Sequence, residues 1–306
     1  MPLHVLILGS GAGGGFPQWN CGCSQCTAVR LGKVGFLPRT QDCLAVSADG
    51  ERWFLLNASP DITHQLGRHP ELWPQRLRHS PIGGVVLTNG DLDHVLGLFQ
   101  LREAQPLSLY ATTRVHAGLN ENVAMKTLQR FDGHLSPRPL HLNQPCELLT
   151  AAGDPSGLFV EAVPLPGKPP LHLTEQFAPS LEDNVALRVR TATSGYLVYA
   201  SAVSDVRQAG TVFDDCDVLL LDGTFWSEEE LPDLGVNMGP ARTMAHQPVG
   251  GKRGSYAALR NVPIPRRIFT HLNNTNPLLD ANSEPRAEVE AGGWEVAHDG
   301  LRLLIE

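Results

Sequence analysis

The chain has 306 residues, 42% of them hydrophobic, with 24 Lys and Arg against 32 Asp and Glu and a formal net charge of −8. That is apolar material for one large core or two smaller ones, and the acidic balance without a long basic run argues against nucleic acid or an anionic membrane surface as partners. The apolar run Leu3 to Leu8 is too short to cross a bilayer and follows no basic segment, so neither membrane insertion nor a signal peptide is expected and a cytoplasmic location is.

The first predicted strand, LHVLIL, runs into SGAGGGFPQWNCGCSQC, where Gly9, Gly11 and Gly14 complete a G-x-G-x-x-G. A dinucleotide site needs a helix beginning inside such a run and an acid about 20 residues on at the end of a strand. Phe16 to Asn20 has no helical period, and Asp42 does not end a strand of a βαβ unit, so no nucleotide is expected. The glycines are read instead as tight turns and close backbone approach. Cys21, Cys23 and Cys26 form C-x-C-x-x-C, three soft ligands spaced for a closed structural Zn²⁺ site whose fourth ligand comes from elsewhere. Cys43, Cys146 and Cys216 are scattered, which does not suit a disulfide framework in a chain of this size.

CLAVSA and RWFLLN, either side of Ala48-Asp49-Gly50, predict a hairpin. In LLNASPDI, Asn57, Ser59 and Asp61 follow a buried strand and are expected to brace a neighbouring loop by hydrogen bonds. After the break at Pro81 to Gly84 comes LTNGDLDHVLGL: a buried strand from Val85 to Thr88, a polar loop, then helical spacing at Val95, Leu98 and Leu101. LSLYAT predicts a strand and residues 113 to 131 a helix. VEAVPLP, VALRVRTATSGYLVYAS and CDVLLLDGTF supply further strands, separated by Pro- and Gly-rich loops, and RRIFTHLNNTNPLLD brings a last buried strand into a polar stretch. Two strand-rich halves, each flanked by helices, predict a sheet-on-sheet sandwich with helices outside.

The segment from Asn89 to Gly97 resembles the H-x-H-x-D-H-x-x-G signature of the metallo-β-lactamase superfamily in degenerate form. Asn89 and Asp91 stand at its first two histidine positions, and the Asp-His pair is intact as Asp93 and His94. The resemblance implies that the retained pair, with a histidine near the C-terminus, holds one metal; His271 in FTHLNN occupies that place. For the superfamily's third histidine there is no better candidate than His172, in a poorly matched loop, and its bridging aspartate falls near Ser201 and Ala202. One metal site is thus dismantled while Asp93, His94 and His271 survive, the two-histidine, one-carboxylate ligand set of non-haem Fe²⁺ oxygenases. Asn89 or Asp91 is a further candidate oxygen ligand.

LILGSGAGGGFPQWNCGCSQC, RTQDCLAVS, FLLNASPDI, DLDHVLGL, LLLDGTFW, MAHQPV and FTHLNNTNPLL, in this order from residue 6 to residue 279, closely resemble the coenzyme PQQ synthesis protein B family. That resemblance implies an α+β fold, an αββα four-layer sandwich, as one metallo-β-lactamase-like domain over residues 1–306 with a zinc-binding loop at about 20–27. It also implies structural Zn²⁺ on Cys21, Cys23 and Cys26, with Asn274 the expected fourth ligand, and catalytic Fe²⁺ on the second set. The implied reaction is O₂-dependent hydroxylation of the tyrosine of a Glu-Tyr precursor of pyrroloquinoline quinone (PQQ) to a catechol. His246 is expected to orient the phenol or act as acid or base, and Asp222 to hydrogen-bond a metal-bound histidine. The alternatives are a zinc hydrolase and a carrier assisting transport of PQQ or its precursor to the periplasm; a homo-oligomer is compatible with all three.

Overall fold

Each apolar run named above contributes to a strand in the computed structural model, which describes all 306 residues, although the strand expected from Val85 to Thr88 begins at Ile82, inside the expected break, and ends at Val86. In chain order the strands are β1 (Leu3–Gly9), β2 (Cys43–Ser47), β3 (Trp53–Leu56), β4 (Ile82–Val86), β5 (Leu107–Thr112), β6 (Leu135–Leu140) and β7 (Cys146–Leu149). They continue as β8 (Pro155–Pro164), β9 (Val185–Arg190), β10 (Tyr196–Ala200), β11 (Cys216–Asp222), β12 (Arg266–Thr270), β13 (Trp294–Val296) and β14 (Arg302–Ile305). The helices are short: α1 (Ser24–Arg30), α2 (Ile62–Arg68), α3 (Leu92–Val95), α4 (Thr113–Asn120), α5 (Met125–Leu128), α6 (Glu230–Asp233), α7 (Ser255–Ala258) and α8 (Glu284–Ala291).

Two seven-stranded sheets result, in the orders β14-β1-β2-β3-β4-β5-β6 and β13-β12-β11-β10-β9-β8-β7. The chain fills the first sheet, then the second, and β14 returns to pair antiparallel with β1, Leu3 opposite Ile305. Both sheets are mixed. β2 and β3 form the expected hairpin, while β3 to β6 run parallel. In the second sheet β7 to β10 are antiparallel and β10 to β13 parallel.

Strands buried on both faces read as continuous apolar runs rather than alternating ones, and the packing explains the runs. Val5, Ile7, Val46 and Leu56 meet Leu187, Tyr199, Leu220 and Ile268 between the sheets. On the outer face of the first sheet, Leu6, Leu8 and Leu55 pack with Ile62 of α2, Val95 of α3 and Val115 of α4. On the outer face of the second, Val198, Leu219 and Phe269 pack with Cys26 of α1 and Val289 of α8. The layers are therefore helix, sheet, sheet, helix, the α+β sandwich expected.

Several elements differ from the sequence expectation. β6, LSPRPL, carries two prolines and is a strand only because it lies at the sheet edge, where a missing N–H interrupts no inner ladder. Residues 113 to 131 hold two short helices, α4 and α5, the first capped by Thr112 Oγ1 accepting from Val115 N. The spacing at Val95, Leu98 and Leu101 gives one turn of α3 and a 3₁₀ stretch, Leu96–Gln100. No helix is long and apolar enough to cross a membrane.

Candidate metal centre

The loops after β4, β11 and β12 bring Asp93 with His94, Thr224 and His271 to one end of the sandwich. The metal-binding atoms of Asp93, His94 and His271 lie within 4.8 Å of one another. His271 Nε2 is 3.1 Å from Asp93 Oδ2, and His94 Nε2 is 3.8 Å from the same oxygen.

Hydrogen bonds behind the rings fix which nitrogen faces the cluster. Asn89 Oδ1 accepts from Asp91 N at 3.0 Å, which sets the orientation of that amide, and accepts from His94 Nδ1 at 2.7 Å. His94 therefore carries its proton on Nδ1 and turns an unprotonated Nε2 inward, where it is buried without any partner. Thr224 Oγ1 donates to Asp222 Oδ1 at 2.7 Å, so it accepts from His271 Nδ1 at 2.8 Å. Both imidazoles are thus oriented with Nε2 toward Asp93, the outer hydrogen-bonding arrangement that metal-ligating histidines need. An orphaned buried nitrogen beside a carboxylate and a second imidazole fits a metal ion.

The charges agree. Burial would raise the Asp93 carboxyl, but the facing His94 and His271 rings outweigh it and hold it well below the usual carboxylate range. Burial pushes His94 down to about 4, against the pull of Asp93. Burial acts on His271 in the same direction, yet its hydrogen bond to Asp93, with the charges of Asp93, Asp42 and Asp222, holds it at about 9. Without metal, the imidazolium proton of His271 bridges to Asp93.

A second group of candidate ligands, Asp222, His246 and His271, also falls within 4.8 Å, but its carboxylate is already satisfied. Asp222 accepts from Val203 N, Thr224 N, Thr224 Oγ1 and, at 2.7 Å, His246 Nδ1. This is a hydrogen-bonded His-Asp pair rather than an ion cradle. His246 stacks on His271 with ring centroids 5.5 Å apart and leaves Nε2 without a protein partner.

The structure brings most of the sequence-selected residues together but assigns two of them different places. Asn89, a candidate oxygen ligand, stands behind His94 because its Oδ1 is taken by the Nδ1 proton. Asp91 stands at the N-cap position of α3, with no side-chain hydrogen bond to the helix, beside the cluster without joining it; burial and the charge of Asp93 raise its carboxyl to about 6, against the pull of His246, His271 and Lys168. Asp222 reaches His246 directly and His271 through Thr224. Asn57, Ser59 and Asp61 brace the loops: Asn57 Oδ1 accepts from Thr88 N and Oγ1, both at 3.0 Å. Asp61 Oδ2 accepts from Gln41 N, and Ser59 Oγ donates to Gln65 Oε1.

Cys21, Cys23 and Cys26 present their sulfurs within 4.8 Å of one another, with Cys23 at the N-cap of α1. Asn274, three residues after His271, points its amide nitrogen at Cys26 Sγ at 3.4 Å. For Asn274 to bind an ion through oxygen, that amide must turn over. No helix begins inside the glycine run. The run passes against the metal cluster, so close that a Cβ on Gly13 would lie 3.4 Å from Asp93 Oδ2.

Both sites open on one cavity of about 970 Å³. Phe225, Leu231, Leu234, Val236, Met238 and Met244 form an apolar wall, with His172, Lys168 and Asp91 also on the lining. Sequence reasoning missed Thr224 and Lys168. It also dismissed Asp42, which is fully buried under the site, accepts from Thr270 Oγ1 at 3.0 Å and is hydrogen-bonded to Tyr199 Oη.

This fold and ligand arrangement define a class. The family model described as "Beta-lactamase superfamily domain" matches residues 52–272, and the chain belongs to that superfamily. Within it, coenzyme PQQ synthesis protein B of Methylobacterium nodulans is 45% identical over 99% of this chain and 100% of its own, and that of Pseudomonas paraeruginosa is 40% identical over 99% and 100%. A crystal structure of Zn²⁺-bound PqqB from Methylobacterium extorquens superposes with a TM-score of 0.91 at 42% identity, covering 98% of this chain and 99% of that one. The chain belongs to the coenzyme PQQ synthesis protein B family. A diphosphatase of the PhnP family, 20% identical with a TM-score of 0.67 over 99% and 97% of the two chains, shares the fold.

Proposed function

We propose that the protein acts in PQQ biosynthesis as a non-haem iron- and O₂-dependent hydroxylase, converting the tyrosine of a Glu-Tyr precursor to a catechol. The observation that carries this reading is the ligand set: one carboxylate and two imidazoles, with His94 Nε2 buried and unpartnered between them. Asp93, His94 and His271 would hold the ion. Iron at that position supplies the one-electron and O₂ chemistry that side chains cannot perform.

The remaining roles belong to the chain's own residues. Asn89 and Thr224 orient the two imidazoles. His246, held through Nδ1 by Asp222, offers Nε2 as the acceptor for the phenol proton. The wall from Phe225 to Met244 receives the ring and excludes water. Over the whole reaction a ring C–H becomes C–OH and the second oxygen atom leaves as water, with two electrons and two protons drawn from a reductant.

The match to a β-lactamase superfamily domain favours a second reading, a zinc hydrolase. The two are separated by anaerobic loading with Fe²⁺ or Zn²⁺, exposure to oxygen with Glu-Tyr, and mass analysis for a gain of one oxygen. His271→Ala is expected to abolish that gain with most iron binding, whereas Asp91→Ala keeps more of both. Full oxygen-dependent activity in His271→Ala, or two zinc ions and no iron in the active pocket, would overturn the hydroxylase reading in favour of the hydrolase.

A further inference from the structure

Among the residues lining the cavity Lys168 is the only Lys or Arg. It sits in the Pro-rich loop between β8 and the 3₁₀ turn Leu171–Leu173, half-buried, and joins none of the chain's ion pairs. Its Nζ makes one hydrogen bond, to Thr243 O at 3.0 Å, which leaves donor capacity on a group with three N–H bonds. That bond ties the loop to the turn Ala241–Met244, just before His246. Pro169 and Pro170 follow it, and Pro fixes φ, so the segment carrying the ammonium is stiff.

The acidic groups of the lining are Asp91 and Asp93, beside the histidines of the cluster and His172, so Lys168 faces a cavity with no counter-ion of its own beyond Asp91. An ammonium on the lining held by one hydrogen bond, an apolar wall and an ion cradle together describe a ligand with an aromatic body and a carboxylate in addition to its reacting ring. Resting on the hydroxylase reading above, we infer that Lys168 is the specificity residue of this cavity: it pairs with a carboxylate of the phenolic substrate and so selects an anionic phenol over one that lacks that carboxylate.

The test uses the full chain loaded with Zn²⁺, so that binding is read without turnover. Calorimetric titrations compare Glu-Tyr with two probes that each lack one carboxylate, Gln-Tyr and Glu-Tyr amide, in the parent, Lys168→Gln and Lys168→Arg. In the parent, at least one neutralised probe is expected to bind about tenfold more weakly than Glu-Tyr, the scale of one charge-assisted hydrogen bond. Lys168→Gln is expected to weaken Glu-Tyr by a similar factor and erase that difference, and Lys168→Arg to keep it. Metal content and melting temperature, measured alongside, should not change. If Lys168→Gln binds Glu-Tyr as tightly as the parent, or retains the full penalty for each neutralised probe, the inference is wrong. Failure of the metal-loaded parent to bind any of the three peptides would instead overturn the substrate named in the hydroxylase reading, and the inference with it.

Discussion

Metal uptake at the Asp93, His94 and His271 cluster should release one proton at pH 7. Without metal, Asp93 is already ionised and His94, pushed by burial to about 4, is already neutral. His271, which Asp93 holds at about 9 against the effect of burial, is protonated. The ion must replace that proton. With a pKa about two units above neutrality, about one chain in a hundred has His271 unprotonated at pH 7, so the displacement weakens binding about a hundredfold, or about 2.7 kcal/mol, relative to alkaline solution. Apparent affinity should rise about tenfold per pH unit from about pH 6 to 8 and level off above about 9. Titration calorimetry in two buffers of different ionisation enthalpy counts the protons directly, using protein whose cysteine loop is already filled with zinc. An affinity independent of pH between 6 and 8, with no proton passed to the buffer, would refute the ion pair and the argument built on it.

The same pair affects stability. The folded pKa of His271 lies above its ordinary 6.5, so its contribution is fully present below about 6.5 and is lost as pH rises through about 9, on the order of 3 kcal/mol. The depression of Asp93 describes the same interaction and is not added. Metal-free protein should melt lower as pH rises across that window, while metal-loaded protein, which has no such proton, should not.

The parent should carry two metal ions per chain, one at each site, and Cys23→Ser and His271→Ala one each by elemental analysis; Cys23→Ser should also melt lower, and loss of its zinc at an unchanged melting temperature would deny the cysteine site a structural role. Asn89→Leu removes the closer acceptor of the buried His94 Nδ1 proton and leaves it Thr88 Oγ1 at 3.3 Å, so it should cost about 1–3 kcal/mol in denaturant unfolding and about 10- to 100-fold in metal affinity. Gly97→Ala would put a Cβ 2.2 Å from Ser59 O and 2.7 Å from Ala58 O; because both are backbone, unfolding should be easier by about 1–3 kcal/mol or more, and a variant as stable as the parent would show that the two loops can separate freely.

The fold was legible because its strands are buried on both faces, so LHVLIL, CDVLLLD and RRIFT stand out as runs without any alternation to decipher. β6 was not, since its prolines argue against a strand unless the edge position is known. In the site, Asp93, His94 and His271 were found through spacing and resemblance. Thr224 lay inside a motif already noticed, LLLDGTFW, but a threonine after an aspartate reads as a turn until His271, 47 residues away in sequence, is seen at its hydroxyl. Lys168 carries no local signal at all. One lysine in a Pro-rich loop gains meaning only from the absence of any other lysine or arginine around the cavity.

What holds the cradle's geometry is a buried chain of hydrogen bonds between the two sheets. Asp42, just before β2, accepts from Thr270, the residue before His271, and is bonded to Tyr199 of β10. Asn57 Nδ2 donates to Tyr199 Oη at 3.0 Å, and Asn57 Oδ1 receives Thr88, whose Oγ1 lies 3.3 Å from His94 Nδ1. One ligand histidine follows the first sheet and the other the second, so a shift of one sheet against the other would separate them, and this chain resists that shift. It is also costly to leave incomplete, because each member is buried and an unmatched polar group there costs about 1–3 kcal/mol. Asn57 adopts a left-handed φ of 64° to make its bonds, a conformation asparagine tolerates better than most residues. Asn89 adds the last constraint from the superfamily's first histidine position: it turns its oxygen onto His94 and so serves the remaining ion by aiming a ligand at it.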